Sequence, residues 1–153
     1  SMGQSLDIAE LIKPIRGSGG SNPAGRVPAN IFYVAHLGDE ERQFFVTLLL
    51  AQLVSWMRAQ TGTSQLRLLV YFDETHGYCP PFPRNPPTKP PLMALVKQGR
   101  AAGLGLFLAT QNPADLDYKG LSNIGSWFIG RLRAAVNVTS DMIVACILDR
   151  RTA

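Results

Sequence analysis

The sequence is poor in the residues that build disulfide frameworks and metal centres. Its 153 residues include two cysteines, Cys79 and Cys146, and two histidines, His36 and His76. Two cysteines without a pair of CxxC motifs exclude a disulfide framework and a zinc finger of the usual spacing. No apolar run is long enough to span a bilayer, and the N-terminus has no signal-peptide pattern. We therefore expect a soluble, reduced, cytoplasmic protein with no membrane partner.

Charged residues are also scarce, at 17% against 46% hydrophobic residues, which is typical of a globular chain with a core. Residues 1–3 (Ser-Met-Gly) are typical of an expression-tag remnant, and residues 4–153 suit a single domain. Residues 1–77 carry 6 basic and 7 acidic side chains, a net −1, whereas residues 78–153 carry 9 and 4, a net +5. The basic half keeps DNA as a candidate partner, beside the alternative of ordinary solvated lysines and arginines.

Hydrophobic periodicity predicts an alternation of strands and helices. Short apolar runs rich in β-branched and aromatic residues predict strands at residues 31–37, 66–72, 104–110 and 126–132. Wide apolar stripes predict helices at residues 38–62 and 90–102, a weaker one at 5–17, and a short last helix at 140–149. This order predicts an α/β domain with a mostly parallel sheet of about four strands and flanking helices.

A proline-rich loop separates the second strand from the next helix. Seven prolines fall within residues 80–91, which excludes regular structure there and predicts an extended segment. Pro90 and Pro91 suit the first turn of the following helix, and Thr88 is a candidate N-cap.

Two adjacent carboxylates end the second strand. The stretch LLVYFDETHGYCPP, residues 68–81, places Asp73 and Glu74 directly after a buried apolar run. A buried, unpaired carboxylate is costly, so we expect the pair to lie in a cleft at the carboxyl end of the sheet, where ligands of parallel sheets bind. An apolar strand followed by Asp-Glu fits the Walker B pattern of P-loop NTPases, in which the aspartate helps to hold Mg²⁺ and the glutamate orients the attacking water. A purely structural Asp-Glu pair is the alternative.

The phosphate-binding loop that normally accompanies Walker B is missing from these residues. The nearest match, GSNPAGRV at residues 20–27, has Arg26 and Val27 where the motif requires Lys and Ser or Thr. A predicted strand follows it rather than a helix, so we reject it as a phosphate cradle.

From residue 66 onward the sequence resembles a known class of motors. The segments FDETH, KQGRAAGLG, ATQNPADLDYK and GSWFIGRL, with the proline-rich loop between the first two, resemble bacterial ATPases of the HerA/FtsK class. The resemblance covers roughly residues 26–133 and implies a RecA-like (P-loop NTPase) fold. Such motors are normally hexameric rings that move or remodel DNA, with Mg²⁺ and ATP as cofactors.

The resemblance also implies roles for individual residues. Asp73 would be the Mg²⁺ carboxylate and Glu74 the water-orienting base. Thr110 and Gln111 would form the sensor of the γ-phosphate or attacking water. Arg100 and Arg131 are two candidates for an arginine that reaches a neighbouring subunit's nucleotide.

Two departures from the family pattern limit the expected activity. The part with the phosphate-binding loop is missing, and residues 134–153 do not resemble the charged helix that usually follows GRL. We therefore expect the C-terminal part of a RecA-like motor, such as a truncated gene on a mobile element would encode, with no ATP hydrolysis alone. This leaves open that the chain binds neither Mg²⁺ nor ATP. The alternative function is an interaction or regulatory protein that self-associates or docks onto an intact ATPase of the same class; a weak DNA-binding protein is a further alternative.

Overall fold

The computed structural model describes residues 7–12, 29–112, 114, 116–128 and 142–146. These residues form a mixed α/β arrangement in which helices pack on a small sheet. The elements, in chain order, are α1 (Ile8–Leu11), β1 (Ala29–Tyr33), α2 (Asp39–Ala59), β2 (Leu68–Phe72), α3 (Lys89–Gln98), the 3-10 turn η1 (Gly99–Ala102), β3 (Leu104–Leu108), α4 (Tyr118–Leu121) and β4 (Met142–Cys146).

The sheet has the strand order β1-β4-β2-β3. β2 and β3 are parallel neighbours, with Phe72 opposite Leu108 at their carboxyl ends. β4 lies between β1 and β2 and is antiparallel to both. β1, β2 and β3 therefore point in the same direction, and the expected α/β class is confirmed. The prediction of a mostly parallel sheet is wrong for the pairs of neighbouring strands. Because β4 is inserted between β1 and β2, two of the three pairs are antiparallel.

The C-terminal part of the chain departs most from the sequence prediction. Residues 142–146, which we expected within a helix at 140–149, form strand β4. A short apolar run with adjacent β-branched residues has no periodicity that separates strand from helix, and here pairing on both edges satisfies its backbone. Residues 126–128 are not in a strand, and the rest of the strand expected at 126–132 lies outside the described residues.

Helix α2 supplies the largest part of the core. Acidic residues occupy its first turn, and the Gly38 N–H donates to the Glu41 carboxylate at 3.1 Å, which favours the helix N-terminus. The residues it buries are Val46, Leu49, Leu50, Leu53, Val54 and Met57. They join the buried β2 side chains Leu68, Val70 and Phe72 in a single cluster. None of the helices in the described part of the chain is long and apolar enough to cross a membrane.

The proline-rich loop and helix α3 follow the prediction with one difference. The segment between β2 and α3 has no regular structure, and prolines open the helix. Thr88 occupies the N-cap position, but its side-chain oxygen accepts no hydrogen bond from the N–H groups of the helix. Instead, this fully buried hydroxyl lies 2.8 Å from the carbonyl oxygen of Tyr78 and 3.3 Å from Gln43 Oε1. Thr88 therefore ties the loop to α2 rather than capping α3.

On one face of the sheet, large side chains of the described strands are exposed. Side chains alternate between faces along each strand, and Ile31 and Tyr33 of β1 are 62% and 54% exposed. The register places Ile31 and Tyr71 opposite the same β4 residue, and Phe107 lies beside Tyr71 with ring centroids 5.3 Å apart. We call this surface, with half-buried Leu69, the open face; all five of its residues are uncharged.

Candidate functional site

The ends of β2 and β3 are fastened together one residue beyond the strands. The Ala109 N–H donates to the Phe72 carbonyl at 2.9 Å. The N–H and the hydroxyl of Thr75 both donate to the Ala109 carbonyl, each at 3.0 Å. Thr75 is fully buried, so its hydroxyl requires such a partner. These bonds bring the loop that begins at Asp73 beside the loop that begins at Ala109.

Glu74 and Gln111 meet at this edge of the sheet. The Gln111 side-chain amide donates to Glu74 Oε2 at 2.8 Å. Glu74 is half-buried, whereas Gln111 is exposed. The sequence placed both residues at strand ends and in one expected site, and the structure brings their side chains into contact. Their assigned roles in hydrolysis remain predictions.

Glu74 adopts a backbone conformation that side-chain-bearing residues rarely take. Its φ is 49°, in the left-handed region, where a residue with a Cβ pays roughly 1–2 kcal/mol. Such conformations persist where the surrounding structure enforces them, and they are concentrated at functional sites. Here the bonds of Thr75 and of Gln111 hold Glu74 from both sides.

Asp73 lies next to this pair and has one oxygen engaged. Its Oδ1 accepts the Glu74 N–H at 3.1 Å and the Tyr71 hydroxyl at 3.4 Å. Burial, together with the charge and hydrogen bond of Asp73, raises the pKa of Tyr71, so the phenol stays protonated as a donor. Both bonds to Asp73 within the described residues end on Oδ1, which leaves Oδ2 for a ligand.

A magnesium ion held at this site would take most of its ligands from water or phosphate. Among the described residues there is no group of three or more His, Cys, Asp or Glu side chains that would hold a metal. Mg²⁺ is commonly held by one or two carboxylates, with waters and substrate phosphates completing the shell. Asp73 would supply one such carboxylate, through Oδ2.

Among the described residues, Thr110 and Arg100 form no hydrogen bond with Glu74. The Thr110 hydroxyl bonds within its own loop, 3.3 Å from both the N and the O of Asn112. Arg100 is exposed in η1, before the first residue of β3. It therefore lies one strand length away, about 16 Å for five residues, and its expected role at a neighbouring subunit's nucleotide stays a prediction. Arg131 and the segment 20–27 lie outside the described residues.

An ion pair near the site was not anticipated from the sequence. Lys89 Nζ lies 2.7 Å from Asp117 Oδ2, with the two side chains 12% and 15% exposed. The Lys89 hydrogen bond, with one from the Lys119 backbone N–H, lowers the pKa of Asp117. The sequence gave no sign of this pairing, because the two residues are 28 positions apart. Lys89 lies among prolines, and Asp117 lies in a polar connection.

Comparison of the chain with protein-family models and with curated proteins found no match in either set. The likeness to HerA/FtsK-class ATPases therefore stays a prediction from the motifs, beside the geometry described above.

Proposed function

We propose that the chain is the carboxylate-and-sensor part of a HerA/FtsK-class ATPase motor with a partial RecA-like fold. The observation that carries the proposal is the 2.8 Å hydrogen bond between Gln111 and Glu74 at the carboxyl ends of adjacent parallel strands. Ligands of α/β sheets bind beyond such ends. A glutamate held there by a neutral amide keeps its second oxygen available to a substrate or to water.

The proposed chemistry assigns one task to each side chain. Glu74 accepts a hydrogen bond from the attacking water and orients it toward the terminal phosphate. Gln111 holds the carboxylate in that direction through its amide N–H. Asp73 offers Oδ2 to the metal, and Mg²⁺, when bound, would neutralise phosphate charge.

The same proposal predicts that the isolated chain does not turn over ATP. Phosphate binding in these motors depends on the backbone N–H groups and the lysine of a G-x-x-x-x-G-K-[ST] loop, and the 153 residues contain no such motif. We infer that the triphosphate is gripped by residues outside this sequence.

Paramagnetic relaxation tests the metal and water station without requiring turnover. Mn²⁺, which shares the oxygen-ligand preference of Mg²⁺, is titrated into ¹⁵N-labelled protein. We expect the amides of residues 73–75 and 109–112 to broaden first, and Asp73→Asn to remove that selectivity. The matched control is Asp39→Asn, which removes an exposed carboxylate on α2 and should leave the pattern unchanged.

Two results would count against this function. Broadening that begins elsewhere, or that survives Asp73→Asn, would remove the metal site. ATP hydrolysis by the isolated chain that disappears in Glu74→Gln would show that phosphates are gripped within these residues.

The open face favours a second candidate function, self-association. It carries three exposed large apolar residues, Ile31, Tyr33 and Phe107, and none of its five described residues is charged. Exposed apolar patches mark interaction sites. A face of four strands and five residues measures roughly 20 by 17 Å, on the order of 300 Å² in projection. Because a standard interface buries about 800 Å² on each partner, we propose weak pairing of two copies through this face.

Sedimentation velocity over a wide concentration range measures this pairing. We expect the average mass to rise with concentration, and Phe107→Glu to hold the protein monomeric. Phe82→Glu is the matched control, since Phe82 is 91% exposed in the proline-rich loop and is not one of the residues of the open face. A mass that stays monomeric at every concentration, or self-association unaffected by Phe107→Glu, would exclude this mode.

A further inference from the structure

The two loops that carry Glu74 and Gln111 are joined again beyond the site. Where they begin, Thr75 bonds to Ala109. Farther along both loops, the Asp117 N–H donates to the Cys79 carbonyl at 2.9 Å. The Glu74–Gln111 hydrogen bond therefore lies between two points at which the same pair of loops is fastened.

The second fastening point contains the ion pair of Lys89 and Asp117. Lys89 Nζ contacts Asp117 Oδ2 at 2.7 Å and the Pro80 carbonyl at 2.8 Å. Pro80 follows Cys79, and Lys89 is the first residue of α3. One ammonium group thus joins Pro80 in the glutamate loop, Asp117 at the end of the glutamine loop and the start of α3. With little exposure of either side chain, water competes weakly for these bonds.

We propose that Lys89 and Asp117 are positioning residues that hold Gln111 in contact with Glu74. Gln111 is exposed, and the bonds of Thr110 to Asn112 do not connect its loop to β2. Beyond Gln111, the described anchors of its loop are the buried side chain of Leu116 and the bonds of Asp117. Removal of the ion pair leaves the backbone bond of Asp117 to Cys79 in place but no longer holds the Asp117 side chain against Lys89. We expect Asp117 to shift, and the Gln111 amide then leaves Glu74 for water. The catalytic meaning of this positioning rests on the proposed function.

Asp117→Asn separates this role from ordinary support of α4. Asp117 is also the N-cap of α4, where Oδ1 accepts the Lys119 N–H at 2.9 Å. Asparagine is an equally good N-cap, so the cap is retained while the charge that faces Lys89 is removed. Lys89→Met removes the other partner and leaves the aspartate cap intact. Lys89→Arg keeps the positive charge and serves as the rescue variant.

The side-chain NH₂ resonance of Gln111 reports the contact directly. Its position in the wild type marks the bonded state, and its position in Glu74→Ala marks the unbonded state. We expect Asp117→Asn to move the resonance more than halfway toward the unbonded position, while the backbone amides of β2 and β3 remain in place. Lys89→Met should move the resonance in the same direction, whereas in Lys89→Arg it should lie close to the wild-type position. Asp39→Asn, which breaks the exposed pair with Arg42, is the matched control and should not move it.

A Gln111 resonance that stays at the wild-type position in folded Asp117→Asn would overturn the proposal. If that variant does not fold, Lys89→Met decides by the same criterion. The measurement is made without metal or nucleotide, so it is independent of the Mn²⁺ titration. If Asp117→Asn does not move the Gln111 resonance but Mn²⁺ still binds at residues 73–75, the proposed function stands without this positioning role. If the resonance moves but Mn²⁺ does not bind there, Lys89 and Asp117 position Gln111 at a site of other chemistry.

Discussion

The left-handed backbone of Glu74 predicts an unusual order of stability for two substitutions at this position. Glu74→Gly and Glu74→Ala both remove the carboxylate and its bond to Gln111, and they differ by one Cβ. In a helix or strand interior, alanine is more stable than glycine by roughly 0.5–1 kcal/mol. At φ 49° the Cβ is itself a source of strain, so the order should reverse.

The magnitude follows from two opposing terms. A residue other than glycine in the left-handed region is destabilised by roughly 1–2 kcal/mol. The extra backbone entropy that glycine loses on folding offsets part of this, so the glycine variant should be more stable than the alanine variant by about 1 kcal/mol. Loss of the hydrogen bond to Gln111 costs about 1 kcal/mol in either variant, because one partner is exposed. Glu74→Gly should therefore be about as stable as the wild type, and Glu74→Ala about 1 kcal/mol less stable.

Urea unfolding followed by far-UV circular dichroism measures the difference. The midpoints should shift without a change in the denaturant slope, since neither substitution alters the surface exposed on unfolding. Glu74→Gln, which keeps a Cβ and an acceptor oxygen, should stay close to the wild type. An alanine variant equal to or more stable than the glycine variant would refute the account of a strained backbone at the site.

Three further predictions concern the core, a turn and an ion pair. Leu50→Ala, at a residue 1% exposed, should cost about 2–5 kcal/mol in urea unfolding, whereas Leu48→Ala on the same helix, at 40% exposure, should cost much less; equal losses would contradict the assigned core face. Gly103→Ala places a Cβ 2.5 Å from the Gln65 carbonyl oxygen at φ 77° and should cost at least about 2 kcal/mol. Gly77→Ala, with positive φ but open space, should cost about 1 kcal/mol. The pKa of Asp117 is lowered in the folded state by Lys89, so its contribution to stability is present above the unfolded carboxyl value of about 4 and is lost as pH falls through the folded pKa. Asp117→Asn should reduce the loss of unfolding free energy at acid pH. If the dependence of unfolding free energy on pH is the same in this variant and the wild type, the pair does not stabilise the fold.

Local sequence patterns determined the elements that carry the site. The apolar stripe of α2 spans several turns and can be buried in one way only, and the apolar runs of β2 and β3 are bounded by turns. Because parallel strands end at the same edge of a sheet, the placement of Glu74 and Gln111 at that edge followed from the sequence, whereas their direct contact did not. The left-handed backbone of Glu74 did not, since nothing in an Asp-Glu dipeptide requires it.

The tertiary structure alone decided three features. The run at residues 142–146 became a strand because β1 and β2 were both available to pair with it, and its own pattern is compatible with either structure. Lys89 and Asp117 are paired because the proline-rich loop returns the chain to the site, a path that composition does not specify. The open face exists because the described helices pack on the other side of the sheet. Short-range patterns set which residues are apolar or polar on an element, but pairings between distant residues depend on how the elements meet.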